Sequence, residues 1–252
     1  MIRTILAPNP SPMTLDGTRT FVVGRRRVAV IDPGPALDAH LDAVADTIGD
    51  GVVECILVTH GHPDHAAGAP ALAERFGAPV RSHAAGTLRD GAAVETDAGA
   101  LVAVATPGHS PDHFAFHWPA GGAVFCGDLM MGGLDTALVA APEGDLTDYL
   151  ASLERVRAHA PRAIHPAHGP AFEDPTAAID VYIAHRRARE AQVLAALDAG
   201  AATPDALADA VYGRELHPML RDFTRRTIVA YLEHLERAGR VRRGADGRWA
   251  RV

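Results

Sequence analysis

With 252 residues, 48% hydrophobic and 22% charged, the chain has room for one large domain plus a small appendage and the composition of an ordinary globular protein. The formal net charge of −7 is uneven: residues 1–175 are strongly acidic, while residues 176–252 carry a slight excess of arginine. No run approaches the roughly 20 apolar residues of a bilayer span, and Cys55 and Cys126 each sit in an apolar run, which excludes a disulfide framework and points to buried free thiols in a cytoplasmic protein without membrane contact.

Strand-like and helix-like segments alternate over the first two thirds. Met1 to Pro8 has neither a leader's apolar core nor a cleavage pattern. Phe21-Val22-Val23 and Val28-Ala29-Val30-Ile31 are short β-rich runs around a hairpin-like Gly24-Arg25-Arg26-Arg27. After a break at Asp32-Pro33-Gly34-Pro35, Leu37, Leu41, Val44 and Ile48 recur at helical spacing within Ala36 to Ile48. Cys55 to Thr59 reads as a buried strand, Ala66 to Phe76 as a helix stopped by Gly77, and Val80-Arg81-Ser82 as a short strand. Further strands are expected at Leu101 to Ala105, Phe114 to Phe116, Ala123 to Cys126 and Ala163 to His165. Asp145 is placed as the N-cap of a helix running to about His159. From about Asp174 the pattern turns helical, with helices over Thr176 to Ala199, Thr203 to Val211 and Phe223 to Ala238. Val241 to Arg243 and Arg248 to Arg251 then flank a hairpin signal, Gly244-Ala245-Asp246-Gly247. The reading is an α/β domain over residues 1–174 and a small winged-helix-like domain over residues 175–252.

His60-Gly61-His62-Pro63-Asp64-His65 sets three imidazoles and a carboxylate within six residues, directly after a strand. Imidazole and carboxylate are ligands for a borderline divalent ion. His60 and His62, two apart in an extended loop, can face one ion, and Asp64 and His65 can face a second beside it. Each ion needs further ligands, and His109, Asp128 and His168 stand at the ends of later strands. The expected arrangement is three histidines for one ion and Asp64 with two histidines for the other. Asp128 is shared between ions roughly 3.5–4 Å apart. Four strand ends then converge on one edge of the sheets, where rigid strands hold the loops that carry chemistry.

The spacing resembles the His-x-His-x-Asp-His signature of the metallo-β-lactamase superfamily. Thr106-Pro107-Gly108-His109, Gly127-Asp128 and Pro166-Ala167-His168-Gly169 resemble its later metal motifs, in the same order, and the likeness covers roughly residues 15–170. It implies an αβ/βα sandwich and two zinc ions, with iron or manganese also suited to these donors. Hydroxide generated by the ions would attack a carbonyl or phosphoryl centre. Asp64 would orient it and accept its proton, and Asp128 would bridge. Asn9-Pro10-Ser11-Pro12-Met13-Thr14-Leu15-Asp16-Gly17-Thr18 and the helical tail resemble a branch that contains a mitochondrial endoribonuclease. Arg19 and Ala167 depart from that branch, which commonly shows Asn and Gly there; the first puts a substrate-facing contact in question, the second affects only local backbone freedom.

Three classes of function stay open. One is an endoribonuclease acting on single-stranded RNA, supported by the resemblance and the arginine-rich tail but lacking an aromatic stacking stripe. The second is a thioesterase similar to glyoxalase II, or a small-ester or lactone hydrolase; β-lactam hydrolysis is a weaker variant. The third is a metal-dependent nucleic-acid-binding regulator. Among the remaining polar residues, Asp32 is expected to support a ligand imidazole. His113 is either substrate-facing or structural, His83 belongs near the pocket, and His165 is packed. His40, His117, His159, His185, His217 and His234 take surface or core positions, and Trp249 packs in the terminal hairpin.

Overall fold

The computed structural model describes residues 1–215 and 218–252, and the side chains outside 216–219, so His217 lies outside the described residues. The elements follow in chain order as β1 (Ile2–Leu6), β2 (Arg19–Val23), β3 (Arg27–Ile31), α1 (Asp38–Ile48), β4 (Val52–Leu57), α2 (Pro63–Ala66), α3 (Ala69–Phe76), β5 (Val80–Arg81), β6 (Ala93–Val94), β7 (Leu101–Ala105), β8 (Phe114–Trp118), β9 (Ala123–Gly127), α4 (Leu146–Ala158) and β10 (Ala163–Pro166). The tail supplies α5 (Pro175–Asp198), α6 (Pro204–Tyr212), α7 (Pro218–Arg237), β11 (Val241–Arg243) and β12 (Trp249–Arg251).

Two five-stranded sheets, ordered β1-β2-β3-β4-β5 and β10-β9-β8-β7-β6, lie face to face. The period-2 alternation of the strands explains the layering. Phe21 and Val23 of β2 point between the sheets with Ala29, Ile31 and Leu57, and meet Ala103, Phe116 and Phe125 of the second sheet. Val22, Val28, Val30 and Ile56 point outward and pack beneath Leu41, Val44, Ile48 and Leu72 of α1 and α3. On the far side Val124, Cys126 and Ile164 meet Tyr149, Leu153 and Ile179 of α4 and α5, and the same apolar cluster runs on through α6 and α7 to Trp249. Helix, sheet, sheet, helix is the αβ/βα sandwich, with a winged-helix tail of three helices and the β11–β12 hairpin.

Strand direction decides where the site forms. β7 and β9 each pair antiparallel with β8, and β10 runs parallel to β9, so all three end at the same edge. At that edge Thr59, just past β4, accepts from the Phe114 backbone N–H at 2.8 Å and ties the two sheets together.

Several expectations shift. The helix expected over Ala66 to Phe76 begins at Ala69, as α3; Ala66 ends the short α2, and between them Gly68 donates to the Gly34 carbonyl at 2.9 Å. A Cβ on Gly68 would stand 2.8 Å from the Pro33 carbonyl oxygen, so the break is a packing requirement. β1 and β6 are strands in addition to those expected; β1 is half-exposed at a sheet edge, where no alternation marks it. Asp145 is an N-cap as expected, accepting from the backbone N–H groups of Thr147 and Asp148 at 2.8 and 3.1 Å. Both cysteines are free and buried, and burial pushes the Cys55 thiol up to about 11. Trp249 packs in the hairpin against the core. Among the described residues no helix is long and apolar enough to cross a membrane.

Candidate metal centre

All seven residues singled out by spacing meet at the common edge. They form two groups, His60, His62, His109 and Asp128, and Asp64, His65 and His168, with ligand atoms in each group within 4.8 Å of one another. In the first group His62 Nδ1 lies 2.9 Å from His60 Nε2 and 3.2 Å from His109 Nε2. A tetrahedral ion with metal–nitrogen bonds of roughly 2.0–2.1 Å holds its ligand nitrogens about 3.3 Å apart, so the three imidazoles are already close to a ligand face. In the second group Asp64 Oδ2 lies 3.3 Å from both His65 Nε2 and His168 Nε2.

Asp128 joins the groups. Its Oδ2 lies 4.0 and 3.7 Å from Nε2 of His60 and His109, while Oδ1 lies 3.4 and 3.2 Å from Nε2 of His65 and His168. One carboxylate oxygen therefore faces each group. His65 Nε2, His168 Nε2 and Asp128 Oδ1 are buried without a hydrogen-bond partner. Orphaned polar atoms are costly in a native interior, at about 1–3 kcal/mol each, so three of them converging on one point fit a cation held between them.

The chain aims these atoms by fixing the opposite side of each ring. Thr59 Oγ1 donates to Asp32 Oδ2 at 2.8 Å and so must accept from His60 Nδ1, 3.0 Å away. Asp32 Oδ2 also accepts from His65 Nδ1 at 2.9 Å, and its Oδ1 accepts from the Thr59 N–H at 2.8 Å. His109 Nδ1 donates to the Leu138 carbonyl at 2.8 Å and His168 Nδ1 to the Gly17 carbonyl at 3.1 Å. His62 is turned the other way: Nε2 donates to Glu143 Oε1 at 3.1 Å, leaving Nδ1 inward. An imidazole held at one nitrogen presents a lone pair at the other, which is the form a metal takes.

Local backbone supports the same aim. Pro63 occupies the first position of α2, where its fixed φ suits the helix and puts Asp64 and His65 on successive helical positions. Gly108, at φ +131°, precedes His109; a Cβ there would lie 2.3 Å from Tyr149 Cα of α4. Asp112 bridges the two loops, accepting from the Gly61 N–H at 2.8 Å and from the Ser110 hydroxyl at 2.7 Å.

Electrostatics divide the centre. Burial, with the charge of His65, holds the His60 imidazole well below its usual range, and burial also lowers His109. Burial pulls His168 down too, but the Asp128 and Asp64 carboxylates outweigh it and push His168 up to about 9. His65 moves the same way: Asp128 and Asp32 overcome its burial. Asp128 stays well below the carboxylate range despite its own burial, because His65 and His168 face it. The half of the site with Asp64, Asp128 and Asp32 thus draws positive charge, and protons there stand where a divalent ion can replace them.

Sequence spacing did not point to Thr59, Glu143 or the carbonyls of Gly17 and Leu138. Asp32 supports His65 as expected. His113 is structural: its Nδ1 faces Thr106 Oγ1 at 2.8 Å, its Nε2 accepts from the Asp128 N–H at 3.1 Å, and burial drives it down to about 3. His83, expected near the pocket, is exposed, with its ring 6.1 Å from that of Phe114. His165 is packed, stacked on Phe125 at 5.3 Å. Arg19 makes a two-pronged ion pair with Asp16 at 2.9 and 2.7 Å. The mouth of the centre is lined by His62, His109, Met13, Leu138, Phe223 and Arg226, so α7 of the tail forms part of it.

The sequence pattern of the metallo-β-lactamase superfamily matches residues 14–95 and 86–168, and that of the β-lactamase-associated winged helix domain matches residues 203–249. A β-lactamase-like protein 2 homolog of Caenorhabditis elegans is 30% identical over 213 residues, covering 78% of this chain and 70% of that protein. An atrochrysone carboxyl ACP thioesterase of Cryptosporiopsis is 31% identical over 204 residues; the match covers 77% of this chain and 62% of the thioesterase. A β-lactamase domain protein from Burkholderia ambifaria superposes with a TM-score of 0.83 at 25% identity, over 100% of this chain and 91% of that one. Fold, His/Asp cluster and these matches agree: the chain belongs to the metallo-β-lactamase superfamily and carries its associated winged-helix domain.

Proposed function

We propose that the protein is a dinuclear metal-dependent hydrolase of acyl thioesters or esters. The observation that carries the reading is Asp128, with one oxygen toward each histidine group and buried, partnerless atoms around it. In this reading His60, His62 and His109 hold one ion, Asp64, His65 and His168 hold the other, and Asp128 lies between. Two such ions would supply a nucleophile from water near neutral pH and draw charge from the substrate's carbonyl oxygen. Zinc suits the donors, as do iron and manganese. Asp64 is the more exposed carboxylate of the centre, with 28% side-chain exposure against 12% for Asp128. With the ions bound, Asp64 would orient the attacking oxygen and accept its proton.

The mouth favours an acyl substrate over RNA. Met13, Leu138, Ala140 and Phe223 make it largely apolar, Glu143 adds negative charge, and Arg226 Nε is held by the Ala141 carbonyl at 2.7 Å. A phosphodiester strand calls for a cationic track and stacking aromatics. The likeness to a fungal thioesterase points the same way. The test is a panel of S-acyl thioesters, esters, lactones and single-stranded RNA presented to metal-loaded protein and to Asp64→Asn. Thioester turnover is expected, with kcat/KM lowered at least about 100-fold by the substitution. RNA cleavage without acyl turnover overturns the acyl reading. No turnover of any substrate at full metal content overturns the hydrolase reading.

A further inference from the structure

Three large apolar side chains that remain exposed, Met13 at 48%, Leu134 at 44% and Leu220 at 49%, come together around one groove. They arrive from separate segments: the loop before β2, the loop after β9, and α7. Exposed apolar side chains scattered singly need no explanation, but a cluster beside a reactive centre marks a binding surface. The groove encloses about 300 Å³, at the lower end for small-molecule sites. It adjoins the mouth of the metal centre: Met13, Leu138 and Phe223 line both.

Its two arginines are engaged by the protein itself. Arg186 donates to the Ala137 carbonyl and lies 4.8 Å from the Tyr149 ring centroid. Arg189 lies 4.4 Å from the Tyr212 ring centroid and donates to the Val211 carbonyl at 3.3 Å. Among the described residues the groove therefore offers mainly hydrocarbon contact, and its arginines are already held by the protein.

We propose that this groove is the acyl subsite: it receives the apolar chain attached to the scissile carbonyl and selects longer acyl groups over acetyl. The inference rests on the acyl-hydrolase reading of the metal centre. A carbonyl beside His62 and His109 lets its chain pass Leu138 and Phe223 into the groove. The leaving thiol or alcohol stays on the open side of the mouth.

The experiment has a kinetic and a binding arm, both on the full chain. In the first, kcat/KM is measured on metal-loaded protein with S-acyl N-acetylcysteamine thioesters from acetyl to decanoyl. A rise of about fourfold per buried methylene is expected. Leu134→Glu, and separately Leu220→Glu, are each expected to lower the decanoyl-to-acetyl ratio at least tenfold. In the second, decanoate is titrated calorimetrically onto metal-free protein, and the wild type is expected to bind while both variants do not. Turnover with a flat chain-length profile, or decanoate bound equally by the variants, overturns the subsite and leaves the hydrolase reading standing. Absence of all turnover, with decanoate binding still lost in the variants, sinks the hydrolase reading and retains the apolar ligand site. A dimer by sedimentation that both substitutions dissolve assigns the groove to a second copy and overturns the proposal.

Discussion

Asp32 is the residue on which the aim of the centre most depends. Its two oxygens accept from the Thr59 N–H, the Thr59 hydroxyl and His65 Nδ1, and through Thr59 they also set the tautomer of His60. Asp32→Asn is expected to keep the fold, since an amide fills the same space, and to weaken metal binding about 10- to 100-fold. Competition with a chelator measures this, and unchanged affinity would remove Asp32 from the account. Of the seven clustered residues, His60, His62, Asp64 and His65 were legible in the sequence through residue type and tight spacing, and His109, Asp128 and His168 through their places at the ends of later strands and the resemblance of the motifs around them. The groups behind them were not. Glu143 reaches His62 from 81 positions away, and the Gly17 carbonyl reaches His168 across 151. A backbone acceptor has no residue type to announce it, and such pairings exist only once the sheets have packed.

At the scale of elements, α4 links the two halves of the chain. Its cap, Asp145, accepts from two N–H groups of the first turn, and Asp145 Oδ2 accepts from Arg237 of α7 at 2.7 Å. Burial raises the Asp145 carboxyl, but the Asp148 N–H and Arg237 outweigh it and hold it below its ordinary value. A depressed carboxyl contributes stability above its unfolded value and loses it as pH falls through the folded one. Asp145→Ala is expected to cost about 1–2 kcal/mol at neutral pH. The difference from wild type should shrink as pH drops below about 4, the unfolded carboxyl range. Denaturant unfolding at both pH values checks this; a gap that widens in acid contradicts the assignment. This cap was readable because an acidic residue just before an apolar-periodic run has a local cause. The α2–α3 break was not readable, because Gly68 interrupts the helix for the sake of distant Gly34 and Pro33.

At the scale of the molecule, the tail belongs to the site as much as to its own domain. One apolar cluster runs from β9 through α4 and α5 to the terminal hairpin, and Phe223 and Arg226 of α7 line the mouth. Arginines of the tail are partly engaged with carboxylates of the chain: Arg237 with Asp145, Arg240 with Glu190, and Arg251 with Asp198. Glu190 and Asp198 belong to the tail itself, and Arg157 of α4 pairs with Asp180 of α5 in the opposite sense to Arg237 with Asp145, so these pairs leave the slight basic excess of the tail in place; exposed pairs of this kind also add little stability. Composition could indicate that excess but not where its charges go, since pairing partners such as Arg237 and Asp145 are 92 positions apart.

The central claim is that Asp128 stands between two ions. Its most direct test is the metal content of the folded chain and of Asp128→Ala after saturation with Zn²⁺ and removal of the excess. The wild type is expected to retain about two ions per chain and the variant about one or fewer, with unfolding still cooperative. One ion or none in the wild type, or two retained without Asp128, would contradict it.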